Sequence, residues 1–262
     1  MQRSFLFFFC AWIRFAYSFQ IGNPAQPALI HQGIVSKEKR PWGFRVAYLD
    51  DFVYAQHFKN EFRISPLDEK PAVVQISTDA ALITLNFHNW LDLYGILGGS
   101  RLQMDQELYT RREFSWGLGT KIVMFTWDQL RIGCDFKYFQ TDQRPIFLVS
   151  SGLPLDVVTK DFNLNYSEYQ GSLGISYEGS LICPYIQFSY LNAKVSPQPH
   201  VFLVNYPGIS DPIDATILSF IGRQRWGGAV GATLRMGNMG TFAIESRMFN
   251  QNAIDASLEL RF

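Results

Sequence analysis

Within the last ten residues, Ala253 to Phe262, apolar and polar side chains alternate strictly from Ile254 onward. A β-strand points successive side chains to opposite faces, so one face of this segment suits hydrocarbon and the other suits water. The closing strand of a transmembrane β-barrel has this pattern, with its apolar face against lipid. We therefore predict an all-β fold, a transmembrane antiparallel β-barrel. Its C-terminal closing signal would be Leu258, Leu260 and Phe262.

The N-terminus has the pattern of a secretory signal peptide. Arg3 gives a positive start, an apolar run follows, and Ala16-Tyr17-Ser18 is a small-residue cleavage pattern. No later run reaches the roughly 18 apolar residues of a spanning helix. We predict a signal peptide at residues 1–18, a periplasmic N-terminal segment at 19–41 and the barrel at 42–262, in the bacterial outer membrane.

Apolar and polar residues alternate in many segments, and the connections between these segments are short and long in turn. Outer-membrane barrels have short periplasmic turns and long external loops, with both termini in the periplasm. A soluble β-sandwich is the alternative, but aromatic residues make up 16% of the chain and several tryptophans lie near strand ends, which favours membrane girdles. About ten strands are predicted, at 42–54, 72–87, 91–103, 112–126, 129–142, 162–178, 182–194, 215–236, 241–249 and 252–262. Twelve strands are the alternative if 57–65 forms a strand and 215–236 divides.

Several segments together resemble one known family. They include GNPAQPALIHQGI, which starts at Gly22, DDFVYAQHF, FSWGLGTKIVMF, YSEYQGSLGISY with PYIQFSYLNA, and the closing LELRF. The chain is similar to the chlamydial major outer membrane protein family of porins, as a short and divergent member. The resemblance implies an outer-membrane porin, and it leaves a homo-oligomer as one alternative.

Eleven charged residues fall on the polar faces of the predicted strands. They are Arg45, Lys121, Arg131, Asp135, Lys137, Arg235, Glu245, Arg247, Asp255, Glu259 and Arg261. One interpretation is a water-filled lumen that allows passive diffusion of small hydrophilic solutes or ions, with the surplus of bases indicating a weak anion preference. The other is a structural or surface-interaction barrel, similar to an adhesin, whose lumen is filled by paired charges, because small barrels leave little interior space. An open axial channel would favour the first and many cross-lumen charge pairs the second.

The sequence offers little for catalysis, metals or cofactors. The four histidines are dispersed, so no metal ligand spacing is present. Asp50 and Asp51 are adjacent in a predicted strand and point to opposite faces, which argues against a catalytic site with His57. The formal net charge is zero, which argues against nucleic acid as a partner. We predict no enzyme activity, no cofactor and no metal.

Three further features suggest contacts. Cys134 is predicted on the lipid face, whereas Cys183 follows a short periplasmic turn, where an intermolecular disulfide with another envelope protein is one alternative. The apolar run Val201 to Val204 lies in a long proline-rich loop, and it could fold into the lumen, contact a partner or pack on the barrel rim. The expected partners are outer-membrane lipid and, through the C-terminal strand, the barrel-assembly machinery.

Overall fold

The computed structural model describes residues 22–29, 42–61, 72–88, 90–105, 108–150, 153–159, 161–205, 211–237 and 239–262. The predicted signal peptide at residues 1–18 lies outside these ranges, so its cleavage stays a prediction. Of the predicted periplasmic segment 19–41, only residues 22–29 are described.

The described chain is almost entirely β-structure, with one short helix, α1, at Gln26–Leu29. The strands are β1 Trp42–Asn60, β2 Ala72–Phe87, β3 Leu91–Met104, β4 Leu108–Thr110, β5 Glu113–Trp127, β6 Leu130–Gln143, β7 Pro145–Ser150, β8 Leu153–Val157, β9 Asn163–Tyr177, β10 Ile182–Gln198, β11 Val201–Asn205, β12 Ile213–Thr216, β13 Phe220–Gly222, β14 Trp226–Met236, β15 Gly240–Met248 and β16 Asn252–Arg261.

Ten of these strands form a closed antiparallel barrel. Its order is β1, β2, β3, β5, β6, β9, β10, β14, β15 and β16, and β16 pairs back onto β1. The closing register places Leu258 opposite Tyr48, and the backbone nitrogen of Phe262 donates to the oxygen of Phe44 at 2.9 Å. The prediction of a barrel of about ten strands is confirmed. Closure leaves no unpaired strand edge within the ring, which is what a sheet in hydrocarbon requires.

The remaining strands extend the barrel beyond its wall. β4, β7, β8, β11 and β12 form a continuous sheet that starts on β3, and β13 pairs with both β1 and β10 above the short β15–β16 hairpin. The predicted strand 215–236 is therefore wrong as a single element, because β12, β13 and β14 take separate positions there. Residues 57–60 continue β1 instead of forming a new strand. The twelve-strand alternative is wrong because the closed ring has ten strands: 215–236 does divide, as that alternative required, but β12 and β13 lie outside the ring.

Short and long connections alternate as predicted, except that the β15–β16 hairpin at the extracellular end is also short. The other short turns lie at the same end of the barrel as the start of β1 and the end of β16, and we call this the periplasmic end. The extension sheet lies at the opposite end, which we call the extracellular end. Gly237 has a φ of +65° in the β14–β15 turn, a conformation that glycine adopts without steric cost.

The outer face of the barrel is apolar. Large side chains such as Leu118, Ile186 and Phe188 are between 56% and 60% exposed, and they form part of a continuous band around the wall. Trp42, Trp90 and Trp127 lie outside at the periplasmic end and Trp226 at the extracellular end. An apolar band between aromatic girdles is the surface that a bilayer solvates, and the chain is an outer-membrane barrel. No helix among the described residues is long and apolar enough to cross a membrane.

The inner face divides into two zones. Towards the extracellular end an apolar cluster fills much of the lumen, and we call Phe58, Phe139, Leu164, Tyr166 and Leu191 the outer belt. All five are at most 1% exposed and belong to one packed cluster. Towards the periplasmic end the lumen carries charged and amide side chains. Phe202 and Val204 of β11 join the outer cluster, so the loop run Val201 to Val204 turns two of its side chains into the barrel mouth.

Candidate functional site: the barrel lumen

The eleven charged residues predicted to face the lumen all lie on the inner face. Arg131 and Arg235 are partly exposed at the periplasmic end, where both contact Glu178. The other nine are at most 8% exposed: Arg45, Lys121, Asp135, Lys137, Glu245, Arg247, Asp255, Glu259 and Arg261. Their role in function stays a prediction.

The first cluster is centred on Arg45 of β1. Its guanidinium forms an ion pair with Asp92 of β3 and a second one with Glu259 of β16, where Nε lies 2.9 Å from Oε1. Asn86 donates to Asp92 at 2.7 Å. Both carboxylates therefore have charged or amide partners, which is the condition for keeping buried charges.

The second cluster is centred on Arg247 of β15. Its NH2 lies 3.1 Å from Asp51 of β1, and its Nε lies 3.7 Å from Glu245 and 3.9 Å from Asp255. One cation thus faces three acids, all of them at most 1% exposed. Coulombic attraction is strong at this burial, so Arg247 holds three strands of the wall together.

Two further pairs line the opposite wall. Lys121 lies 4.0 Å from Asp135, and Tyr94 donates to Asp135 at 2.7 Å. Lys137 lies 3.1 Å from Glu168, which also accepts a hydrogen bond of 2.7 Å from Tyr166.

Three of these acids were not among the predicted lumen residues: Asp51, Asp92 and Glu168 are each at most 2% exposed on the inner face. Period-two alternation could have found Asp51, because it lies an even number of residues after Arg45 in the same strand and therefore faces the same side. With these acids included, seven acids face the seven predicted bases, so the charge surplus on which an anion preference was based is absent.

One contact crosses the whole lumen. Tyr166 on β9 lies five strands from β1 in either direction around the ring, and its hydroxyl is 3.3 Å from Oε1 of Gln56 on β1. Diametrically opposite walls therefore touch at the level of the outer belt. Phe139 packs edge-on against Tyr166, with ring centroids 6.3 Å apart.

The periplasmic half of the lumen is occupied by residues 22–29, which we call the N-terminal plug. The plug is held by hydrogen bonds to several strands. Gly22 N donates to Glu245 at 3.1 Å, Gln187 donates to the oxygen of Gly22 at 2.5 Å, and Asn23 donates to Thr233 at 3.2 Å. Gln26 donates to Thr241 at 2.9 Å and to Glu259.

This position corrects the prediction that residues 19–41 lie in the periplasm, for the part that is described. The physical reason is that the polar lumen supplies the donors and acceptors that the plug backbone needs, and Arg45 donates to the oxygen of Gln26 at 3.1 Å. Glycines make room as well, since a Cβ on Gly133 would lie 2.5 Å from the oxygen of Pro24.

Two small cavities lie in the lumen among the described residues. A cavity of about 30 Å³ lies between the plug, Arg45 and Lys121, and another of about 10 Å³ lies beside Asp51 and Tyr166. Such volumes hold one or two water molecules.

The two described cysteines are free and differ in their surroundings. Cys134 lies on the outer face, in the predicted position, and is 7% exposed. Cys183 is fully buried inside the barrel, where it packs against Leu29 of the plug. The alternative of an intermolecular disulfide at Cys183 therefore requires the plug to leave. Within the described ranges, no group of three histidine, cysteine, aspartate or glutamate side chains is placed to hold a metal ion.

Comparison with known proteins gives relatives of one kind. The major outer membrane porin, serovar A, of Chlamydia trachomatis is 21% identical over 374 aligned positions, which cover 92% of this chain and 94% of that porin. The serovar B porin of the same organism is 23% identical over 273 positions, covering 66% of this chain and 69% of that porin. No family model matches the chain.

The serovar A alignment has more positions than this chain has residues, so that porin carries segments that are missing here. Among solved structures, the translocator domain of the autotransporter NalP from Neisseria meningitidis is 10% identical with a TM-score of 0.47, covering 91% of both chains. The outer membrane protease OmpT from Escherichia coli is 10% identical with a TM-score of 0.36, covering 84% of this chain and 94% of that one.

Proposed function

We propose that this protein, a divergent relative of the chlamydial major outer membrane porins, acts as a closed structural barrel of the outer membrane while the outer belt and the N-terminal plug are in place. One observation carries the proposal: the hydroxyl of Tyr166 reaches Gln56 on the diametrically opposite wall. A solute that travels along the axis would meet this contact whatever its charge. The outer belt and the N-terminal plug thus form two barriers in series.

A second candidate function is passive diffusion of small hydrophilic solutes or ions. Two observations favour it: the relatives are named porins, and the periplasmic half of the lumen is lined by charged and amide side chains. Polar walls suit a water-filled passage, and a ring of charges would bias ion flow. In this candidate the plug and the belt must both move before solute passes. No catalytic residue is required in either candidate, so we propose that the protein is not an enzyme.

Planar-bilayer recordings of the purified mature protein separate the two candidates. The variants are wild type, a chain without residues 22–29, the belt double variant F139A/Y166A, and the combination of both changes. A closed structural barrel gives no steady openings in wild type or in either partial variant, and ohmic openings in the combination, because each barrier closes the path alone. Steady openings of wild type would instead support the diffusion candidate and contradict the first. Circular dichroism of each variant, with the strand signal of wild type, is the control for folding.

A further inference from the structure

The lipid-facing wall is not uniformly convex. Across β6, β9, β10 and β14 it contains a groove of about 850 Å³, which we call the outer groove. Its floor is Gly171, and its walls include Phe136, Tyr138, Tyr169, Phe188 and Trp226.

The register explains why the groove exists. Gly171 is paired with Phe136 on one side and with Tyr190 on the other, and Tyr190 is paired with Trp226. A glycine therefore lies in a lateral row of aromatic residues, and the missing side chain leaves a gap between tall neighbours. A Cβ on Gly171 would meet only Phe136, at 3.4 Å. The gap is thus free of backbone, and a side chain could fill it.

Aromatic pairs form the walls of the groove. Phe188 and Trp226 stack with centroids 5.1 Å apart and an interplanar angle of 16°, and Tyr190 meets Trp226 edge-on at 4.9 Å. On the other side, Tyr138 and Tyr169 pack at 4.7 Å. Aromatic pairs of this geometry contribute more than their buried area alone, so the side chains of each wall support one another.

The groove runs from the middle of the bilayer to its outer interface. Gly171 lies six residues from the periplasmic end of β9 at Tyr177, which corresponds to about 15 Å of height at the usual rise and tilt of barrel strands. Trp226 is the first residue of β14 at the extracellular end. Tryptophan and tyrosine at this height mark the level of lipid headgroups.

A cation stands at the mouth of the groove. Arg225 precedes Trp226, is exposed, and donates through NH1 to the hydroxyl of Tyr190 at 3.2 Å. A guanidinium has five N–H donors and pairs readily with phosphate oxygens. The groove therefore combines an apolar slot at acyl-chain depth with a positive charge at headgroup depth.

We propose that the outer groove is a binding site for an anionic phospholipid-type lipid of the outer leaflet. Its acyl chain lies over Gly171 between the aromatic walls, and its phosphate pairs with Arg225. Arg225 favours a headgroup with a net negative charge, because the choline cation of a zwitterionic lipid opposes the pairing of its own phosphate with the guanidinium. This site does not depend on whether the lumen conducts.

Native mass spectrometry of the detergent-solubilised mature protein tests the site. The probes are dimyristoyl phosphatidylglycerol, dimyristoyl phosphatidylcholine with the same chains, and inorganic phosphate alone. We expect R225Q to weaken phosphatidylglycerol binding about fivefold, the effect of one basic residue near a membrane surface, and to weaken phosphatidylcholine binding by a smaller factor. G171L fills the slot and should weaken both lipids by at least that factor.

Matched controls are available in the chain. Gly95 is an outward-facing glycine of β3, and a Cβ added there would have its nearest neighbour, Leu118, at 3.9 Å. The substitution G95L therefore repeats the glycine-to-leucine change away from the groove. Arg223 is an exposed arginine two positions from Arg225, so R223Q repeats the loss of charge. Neither control should alter lipid retention.

Three results would overturn the proposal. If R225Q and R223Q weaken phosphatidylglycerol equally, the preference comes from general surface charge. Binding of inorganic phosphate that equals that of the lipid would indicate a phosphate site without a role for the groove. A wild-type oligomer that dissociates in G171L would show that a second copy of the chain occupies the groove. Because R225Q changes an exposed residue at the barrel rim, its result is informative even if G171L fails to fold.

Discussion

The backbone nitrogen of Gly22 donates a hydrogen bond of 3.1 Å to the carboxylate of Glu245, a residue 223 positions later in the chain and fully buried on β15. The same oxygen lies 3.0 Å from the hydroxyl of Tyr185 and 3.1 Å from Nε2 of Gln187. Three donors from the plug and from β10 therefore converge on one carboxylate oxygen. Charge-assisted hydrogen bonds of this kind are about twice as strong as neutral ones, so Glu245 anchors the plug to the wall.

Adding one methyl group to Gly133 should displace the plug. In Gly133→Ala the new Cβ would lie 2.5 Å from the oxygen of Pro24, a distance that Cβ atoms do not tolerate. We expect Cys183, which is buried against Leu29, to react with a maleimide at least tenfold faster in this variant, a change of about 1.4 kcal/mol in the free energy of exposing the thiol.

Two controls are available for the labelling rate of Cys183. Cys134 lies on the outer face away from the plug, so its labelling rate should be the same in both proteins when the two sites are resolved by peptide mass spectrometry. Gly95→Ala, an outward-facing change with open space, should leave Cys183 protected. Unchanged protection of Cys183 in Gly133→Ala would mean that the plug does not shield it.

Removing the charge of Arg247 should destabilise the barrel strongly. Arg247→Met keeps most of the side-chain volume but leaves Asp51, Glu245 and Asp255 without their shared cation. Breaking a buried ion pair from one side costs about 3–5 kcal/mol. Urea unfolding in detergent micelles or vesicles, followed by tryptophan fluorescence, should show a loss of this size.

Arg101→Met is the matched control, because Arg101 is exposed on β3 and substitutions of exposed residues usually change stability by less than about 0.5 kcal/mol. Equal effects of the two substitutions would contradict the assignment of Arg247 as the hub of the buried cluster.

The wall of the barrel was predictable from sequence because it depends on a local pattern. Alternation identified the inner and outer faces of β16 and of the segments around Arg45 and Lys137. The pattern is clear because lipid requires apolar side chains on the outer face, while the lumen accepts polar side chains on the inner face. Boundaries failed where that pattern stops. The predicted strand 215–236 contains the end of β12, which pairs with the nearby β11, and all of β13, which pairs with β1 far along the chain, and pairing of such short loop strands has no local signal.

The contents of the lumen were much less predictable. The sequence indicated which charged residues face the lumen but not which of them form ion pairs, because partners such as Arg247 and Asp51 are 196 positions apart. It also missed the plug, because residues 22–29 contain no strand alternation and only a four-residue helix. Hydrogen bonds to at least five strands hold this segment in place. The sequence does not show these bonds, because their partners come together only in the closed barrel.

A charge placed on the outer wall should reveal where the bilayer lies. Ile244 on β15 is 38% exposed and faces outwards near the middle of its strand, while Ile213 at the start of β12 is also 38% exposed but belongs to the extension sheet. In lipid, Ile244→Arg should cost about 2–4 kcal/mol, because arginine near the midplane of a barrel wall loses its hydration. Ile213→Arg leaves the side chain in water and should cost less than about 0.5 kcal/mol. Reversible unfolding from phospholipid vesicles measures both values in the same way. Equal costs for the two substitutions would mean that Ile244 does not face hydrocarbon, and the barrel would then have to be placed differently in the membrane.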